Sequence, residues 1–423
     1  MLAGIIVGAL VVGLWPVVLA FGTPTSAAAV VAHVSGMLAG FGVVVMVALM
    51  SRAPSLERGV GTDVLSRWHA TGGRLVISLA LLHALAAVVA WAQSRHEDAL
   101  SALWHVLRLP GLMAATVGTV LLVLVAVVSV RAARRRLSYE AWHAVHLWTY
   151  VAVALSFSHE LAGPDLTGHR PLQIGWALLY THVFGLLIRH RVLTPLRQAV
   201  RHRLHVVAVK PEGAGVVSIE VAGQYLDDMR AEPGQFFRWR FLTPDLWHTA
   251  HPFSLSKPPE DDRLRLTVKA LGEGSSRVQR VAVGTWVIAE GPYGALTAAR
   301  CTRRDVLLIA GGVGITPLRA LFETLPLERG QDMQLLYRAR NAQQLLFRKE
   351  LEQIARRRRA RLRYLLGPDP DCLSADALRE LIPNLRARDV YLCGPPPMTD
   401  AVRAALREVG LPPAQLHEER FSF

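Results

Sequence analysis

The sequence predicts an α+β multidomain membrane protein: a six-helix transmembrane bundle, then a small antiparallel β-barrel, then a parallel α/β domain. Three observations carry this expectation. The long apolar runs are confined to the first 190 of 423 residues, although hydrophobic residues make up 52% of the whole chain. From about residue 201 the chain changes to short β-rich segments punctuated by Gly and Pro. From residue 305 strand-like segments alternate with helical ones, the pattern of a parallel sheet. The expected boundaries are 1–190 for the bundle, 191–202 for a linker, 203–299 for the barrel and 300–423 for the α/β domain.

A membrane helix needs about 20 apolar residues to cross ~30 Å of hydrocarbon. Six windows qualify: 3–21, 27–50, 68–92, 109–130, 139–160 and 172–189. The first has no basic flank and a second span follows at once, so it reads as a true span and not a signal peptide. Arg52, Arg58 and Arg67 lie in the second loop, and Arg131, Arg134, Arg135 and Arg136 in the fourth. Arg189, Arg191, Arg197, Arg201 and Arg203 follow the sixth span. The alternate loops hold none, two (Arg95, Arg108) and one (Arg170). Positive-inside bias therefore predicts cytoplasmic N- and C-termini. The same loops account for the net charge of +14 without nucleic acid. The run "ARRRRARLR" (355–363) reads as a solvated helix face, with anionic lipid as its alternative contact. Three cysteines (Cys301, Cys372, Cys393) without zinc-like spacing fit reduced thiols in a cytosolic compartment.

The third span carries His69 and His83, fourteen residues apart. That interval returns to within about 40° of one helix face, ~21 Å further along. The fifth span carries His143, His146 and His159. The two spans run in the same direction, so depth pairs His69 with His146 and His83 with His159, a mismatch of ~1.5 Å. Rotation is less favourable: thirteen residues leave His159 about 140° from His146 on an ideal helix. Two stacked pairs of neutral imidazoles are what two bis-histidine haems require, and each second ring nitrogen then needs its own acceptor. Arg74, at membrane depth, either neutralises a haem propionate or snorkels toward the cytoplasm.

The pattern Trp142-x3-His146-x3-Tyr150 ahead of His159, with His69-x13-His83, resembles the six-helix ferric-reductase domain shared by NADPH oxidases and ferric reductases. The resemblance implies an inner b-type haem on His69 and His146 and an outer one on His83 and His159. His143 has no ligand counterpart and reads as an interfacial residue.

The β-rich segments "HVVAVKP", "VVSIEVAG", "RLRLTVKAL" and "TWVIAEGPYG" suggest the small barrel. Within it, "HPFSLS" (251–256) offers Phe253 and Ser254 to a flavin: a ring can pack on an isoalloxazine and a hydroxyl can bond its polar edge. "LGEGSSRVQ" (271–279) places glycines and serines just ahead of a helix, which suits a pyrophosphate. "GPYG" (291–294) reads as a turn closing the barrel. "DVLLIAGGVGITPLRALFETL" (305–325) is a strand, a Gly-rich turn and a helix, the order of a dinucleotide phosphate site, with Pro317 in the first helical turn. The segments 333–339, 361–367 and 389–398 read as further strands, alternating with helical ones such as "AQQLLFRKELEQIARR". Cys393 ends the last of these strands at the carboxyl edge of the sheet, where ligands of open α/β folds bind.

In order, "HPFS", "GEGSS", "GPYG", "GGVGITP", "CGPPPM" and the terminal "ERFSF" resemble the ferredoxin–NADP reductase family over roughly 203–423. The resemblance implies that His251, Pro252, Phe253 and Ser254 hold FAD, with Gly272 and Ser275 near its phosphates. Gly311, Gly312, Gly314, Thr316 and Pro317 would cradle the nicotinamide dinucleotide. Cys393 and Gly394 would sit by the nicotinamide, and Phe423 would stack on the flavin until nicotinamide displaces it. Arg340 is placed for the 2′-phosphate of NADPH, with NADH as the alternative.

Together the two resemblances imply a bacterial inner-membrane NAD(P)H-dependent flavohaem oxidoreductase of six spans. Electrons would pass from cytosolic NAD(P)H through FAD and two haems to an acceptor on the far side. Dioxygen, giving superoxide, comes first; a ferric or other metal chelate and a periplasmic acceptor protein are the alternatives. Many oxidase relatives have a polar histidine where this chain has Ala87, and His33, near the outer end of span two, is the candidate substitute. No EF-hand pattern occurs, which argues against calcium control within this chain.

Overall fold

The computed structural model describes all residues except 22–24, 131–136, 138, 214, 328–329, 368–369 and 421–423. The side chains of 58, 62–63, 139–140, 370 and 420 also lie outside the description. Phe423 and the arginines at 131 and 134–136 therefore fall outside it. The chain divides into two units, Met1–Ala53 with Val64–Arg191 and Pro54–Asp63 with Val192–Phe423.

The first unit is helical. Its elements are α1 (Leu2–Ala20) and α2 (Ala27–Met50); the short α3 (Pro54–Val60) lies in the second unit. Then come α4 (Thr62–Arg95), α5 (Ala99–Leu107), α6 (Leu112–Ser129), α7 (Tyr139–Ala162) and α8 (Arg170–Ile188). Ser26 caps α2 by accepting from the Ala29 N–H at 3.2 Å, and Asp98 caps α5 through Leu100 and Ser101. Every expected span is thus a helix. Among the described residues five helices are long and apolar enough to cross a membrane: Leu2–Ala20, Ala27–Met50, Val64–Arg95, Leu112–Ser129 and Arg170–His202. The 24-residue α7 is long enough as well, but its three histidines and Glu160 lower its apolarity.

Small residues set the helix spacing. A side chain at Gly42 would meet Val76 Cγ2 at 2.5 Å, and one at Gly72 would meet Met46 Cε at 2.4 Å, so α2 and α4 lie in close contact. Gly118 of α6 faces the Ala152 carbonyl and the Ser156 hydroxyl of α7, each 2.7 Å from where a Cβ would stand.

The second unit opens with a π turn at Arg189–Leu193, whose first three residues belong to the first unit, and α9 (Thr194–His202). The strands β1 (His205–Gly213), β2 (Val216–Ala222), β3 (Phe236–Phe241), β4 (His251–Ser254) and β5 (Arg263–Lys269) follow. The short α10 (Glu273–Val278) and β6 (Val287–Tyr293) complete this lobe. The strands form two antiparallel sheets, β1-β2-β5 and β4-β3-β6, joined by bridges at His205–Trp286 and Leu255–Leu266. Between them Phe237, Trp239, Phe241 and Leu266 are fully buried, each contributing about 1.5–3 kcal/mol. Contrary to expectation, Gly291-Pro292-Tyr293 is the end of strand β6 and not a turn: Tyr293 pairs with Phe236, and the chain turns at Gly294 (φ +96).

The second lobe contains β7 (Asp305–Gly311), α11 (Ile315–Thr324), β8 (Met333–Ala339), α12 (Arg348–Arg358) and β9 (Arg361–Leu366). It continues with α13 (Ala375–Leu381), β10 (Arg388–Gly394), α14 (Pro396–Val409) and β11 (Leu416–Arg420). Its sheet is parallel with order β11-β10-β7-β8-β9. Two sequence expectations are corrected. The helix read across "AQQLLFRKELEQIARR" is broken, because Phe347 takes a left-handed conformation (φ 56) before α12 starts. The arginine run 355–363 is not one helix face. It ends α12, turns at Arg359 (φ 54) and enters β9, and its members bind Glu323, Asp332 and the carboxyl end of α11.

Candidate cofactor sites

In the first unit the four expected histidines form two pairs. The rings of His69 and His146 have centroids 5.9 Å apart, and those of His83 and His159 are 5.8 Å apart. Trp142 stacks on His146 at 5.1 Å. Helix α7 runs unbroken between its two histidines. Between them the hydroxyls of Thr149 and Ser156 donate back to the carbonyls of His146 and Ala152, at 2.8 and 3.0 Å. Such back-bonds often bend helices, and the 140° interval is counted on a straight one.

The ring orientations come from α2. Nδ1 of His83 lies 2.7 Å from the Ala32 carbonyl, which only accepts, so Nδ1 carries the proton and the Nε2 lone pair is bare. Gly36 permits this approach: a Cβ there would stand 2.6 Å from His83 Nδ1. Neither His69 nor His146 makes a well-formed hydrogen bond through its buried Nδ1 among the described residues. Glu160, next to His159, accepts from Trp176 Nε1 at 2.9 Å and from the Tyr180 hydroxyl at 2.8 Å, which ties α7 to α8.

Two cationic positions stand near the histidine helices. Arg74 lies on the exposed side of α4, with Thr71 Oγ1 at 3.5 Å. Arg191 donates through Nε to the Met50 carbonyl at 2.8 Å, at the end of α2. The sequence offered no cue to Arg191 beyond its place in a basic loop. His33, adjacent to Ala32, holds Asp165 at 2.8 Å.

In the second unit β4 brings His251, Pro252, Phe253 and Ser254 opposite Trp239, Arg238, Phe237 and Phe236. The rings of His251 and Phe253 lie nearly parallel, with centroids 6.2 Å apart. Ser254 is 3% exposed, and its hydroxyl has no hydrogen bond in the described structure. An orphaned buried hydroxyl is costly, and it fits the polar edge of a ligand. The "GEGSS" segment reaches the same place: a Cβ on Gly274 would stand 2.8 Å from His251 Cε1. Ser275 accepts from the Leu271 and Gly272 N–H groups at 2.9 and 3.1 Å, so its hydroxyl shapes the loop.

The glycine turn after β7 and the end of β10 meet where the sheet order reverses, between neighbouring strands β7 and β10. A Cβ on Gly314 would lie 2.3 Å from the Cys393 carbonyl oxygen, and one on Gly311 2.2 Å from Met398 Sδ. Gly312 has φ +53 with open space beside it. Tyr337 donates to the Gly312 carbonyl at 3.1 Å, and burial pushes its phenol up to about 12. Thr316 spends its hydroxyl on the Val313 carbonyl at 2.9 Å, Pro317 lies buried in the first turn of α11, and Cys393 is fully buried. Arg340 is exposed just past the carboxyl end of β8.

One group of residues had no sequence cue. Arg265 of β5 makes a bidentate pair with Glu350 of α12 at 2.8 and 2.9 Å, and Arg319 of α11 reaches the same carboxylate at 2.8 Å. These contacts join the two lobes of the second unit. Burial pushes Glu350 up, but the two guanidinium groups outweigh it and hold the carboxyl below its usual range.

Three family models match the chain: a ferric reductase like transmembrane component over 35–157, an FAD-binding domain over 202–297 and an oxidoreductase NAD-binding domain over 308–404. Among curated proteins, the chain is 30% identical over 227 residues to the ferredoxin reductase component of 3-ketosteroid-9-alpha-monooxygenase from Rhodococcus rhodochrous. That match covers 52% of this chain and 64% of the relative. The flavohemoprotein of Bacillus subtilis is 27% identical over 226 residues, covering 48% and 56%. The chain thus spans less than two thirds of the length of these relatives. Among solved structures, the ferredoxin reductase in carbazole 1,9a-dioxygenase aligns at a TM-score of 0.45 and 23% identity, over 52% of this chain and 69% of that one.

Proposed function

The chain carries the architecture of the ferric reductases and NADPH oxidases, a ferric-reductase-like transmembrane domain joined to FAD- and NAD-binding domains, and on that premise we propose that it moves electrons from cytosolic NAD(P)H across a bacterial inner membrane to dioxygen. When bound, FAD divides the two-electron hydride into single electrons and two b-type haems relay these to the far side. The observation that carries this reading is the pair of imidazole pairs, at 5.9 and 5.8 Å, on the same two helices. Two imidazoles that held one iron between them would stand about this far apart, at about 2 Å per metal–nitrogen bond. Among the described residues no group of three or more His, Cys, Asp or Glu could hold a metal ion. Two protein ligands per site suit a porphyrin, which supplies the other four positions, better than a bare ion.

The protein's own contribution is positional. The Ala32 carbonyl holds His83 in the tautomer that leaves Nε2 available. The Ser254 hydroxyl and the His251 and Phe253 rings hold the flavin. The Gly314 turn against Cys393 and Gly394 admits the nicotinamide, and Arg340 favours the 2′-phosphate of NADPH. His69 with His146 and His83 with His159 would hold the two haems, which would supply one-electron chemistry, and a haem held by two histidines would leave no iron position free for dioxygen. The His33–Asp165 pair, next to the Ala32 carbonyl that orients His83, would supply the polar group that Ala87 does not. Six spans, with α7 among them, and cytoplasmic termini complete the reading.

The test uses purified full-length protein with NADPH and FAD. Oxygen uptake and superoxide-dismutase-sensitive reduction of cytochrome c are expected. Unchanged turnover on a ferric chelate without oxygen would sink the oxidase reading in favour of a metal-chelate reductase. Turnover on neither would point to a periplasmic acceptor protein.

A further inference from the structure

Helix α9 begins five residues after α8 ends at Ile188. Five residues span at most ~18 Å even when extended, so chain length alone keeps α9 near the membrane surface. Its two faces differ. Pro195 and His202 are buried, Gln198 donates to the Gly291 carbonyl at 2.8 Å, and His202 Nδ1 donates to the Gln224 carbonyl at 2.9 Å. The other face leaves Leu196, Arg197, Val200 and Arg201 exposed, with Val200 at 74% and Leu196 at 55%, and Leu193 is exposed just ahead of it. A water-facing helix does not present apolar side chains this way. A helix lying in the headgroup layer does, with aliphatic groups toward the acyl boundary and arginines toward phosphates.

Beside this face is a cavity of about 690 Å³, lined by Leu196, Val200 and Tyr225 and by Arg197, Arg201 and Arg203. Arg201 is shared with Asp228, whose Oδ2 lies 2.8 Å from its Nε, and it stacks over Tyr225 at 5.0 Å. The side chains of Arg197 and Arg203 have no ion-pair partner among the described residues. The cavity therefore combines two uncompensated guanidinium forks, a phenol and an aliphatic wall. Guanidinium forks match the oxygens of a phosphate, and the aliphatic wall matches the start of an acyl chain.

We propose that this cavity binds the phosphate of an anionic lipid headgroup in the leaflet facing the flavin and nicotinamide lobes. The test titrates full-length protein in neutral-detergent micelles with phosphatidylglycerol, with phosphatidylcholine and glycerol 3-phosphate as separate arms. One phosphatidylglycerol per chain is expected, with weaker binding as salt rises. Arg197→Gln combined with Arg203→Gln should weaken it about thirtyfold, the effect of two cations near an anionic surface, at unchanged flavin content. Val200→Asp, at an exposed position without a packing role, should weaken it too if the double variant loses flavin. Equal affinity for phosphatidylcholine, or unchanged affinity in both variants, overturns the proposal. Equally tight glycerol 3-phosphate would make this a soluble-phosphate site and overturn the lipid assignment.

Discussion

Replacing Gly314 by alanine tests the dinucleotide site most directly. The added methyl would stand 2.3 Å from the Cys393 oxygen, 2.5 Å from its carbonyl carbon and 2.7 Å from the Gly394 nitrogen. All three are backbone atoms, so no side-chain rotation relieves the contact, and the end of β10 must move by about 1 Å to reach ordinary van der Waals distance. Overpacking of this kind costs about 1–3 kcal/mol. If the displacement falls on the nicotinamide site, the KM for NADPH rises about 5- to 150-fold, at a factor of ten per 1.4 kcal/mol. Steady-state reduction of a soluble dye gives this value, with bound FAD measured on the same sample. Gly312 separates clash from conformation. Its φ is +53 and nothing lies within 4 Å of its Cβ position, so alanine costs about 1–2 kcal/mol of backbone strain while asparagine should keep most of the affinity. A Gly314→Ala enzyme with full flavin and a KM within about twofold of the original would refute the steric argument.

The remaining predictions concern the histidines and the lobe contact. His146→Ala should lower haem from two per chain to one by pyridine haemochrome assay, whereas His143→Ala should keep both; the reverse result would reassign the inner ligand. Gly36→Ala puts a methyl 2.6 Å from His83 Nδ1, so it should alter one of two low-spin electron paramagnetic resonance signals and leave the other; two altered signals would mean that α2 does not act on the outer pair alone. Glu350 has a folded-state pKa below its unfolded value of about 4.3, so its stabilisation is present above that pH and is lost as pH falls through the folded value. Flavin release on heating should therefore begin at lower temperature as the medium is acidified, and Glu350→Gln should flatten that dependence; an identical acid limb would remove Glu350 from the lobe contact.

The pairing of the four histidines was legible because depth along a helix follows from counting residues, and a histidine in an apolar run is conspicuous. Rotation was not legible, since the 13-residue interval is judged against a straight helix and α7 carries two hydroxyl back-bonds between its histidines. The glycine turn and the end of β10 were both visible as motifs, but only the strand order places Gly314 against Cys393. Charges far apart in sequence left no trace: Arg265 and Glu350 meet across 85 residues. Arg191 was likewise indistinguishable from its neighbours until Met50 located it. The expected turn at "GPYG" failed because Gly and Pro also end strands, and a short pattern cannot separate the two cases.

The Ala32 carbonyl that orients His83 has a consequence for how this protein can change. A hydrogen bond from a main-chain atom survives any substitution that keeps the helix in place. A saturation library across α2 should therefore read position 32 by side-chain size alone, since Ala32 is buried, while position 36 accepts almost nothing larger than hydrogen. The part of α2 that orients His83 is thus heritable as shape and not as chemistry, and mutational screens read for lost functional groups would pass over it.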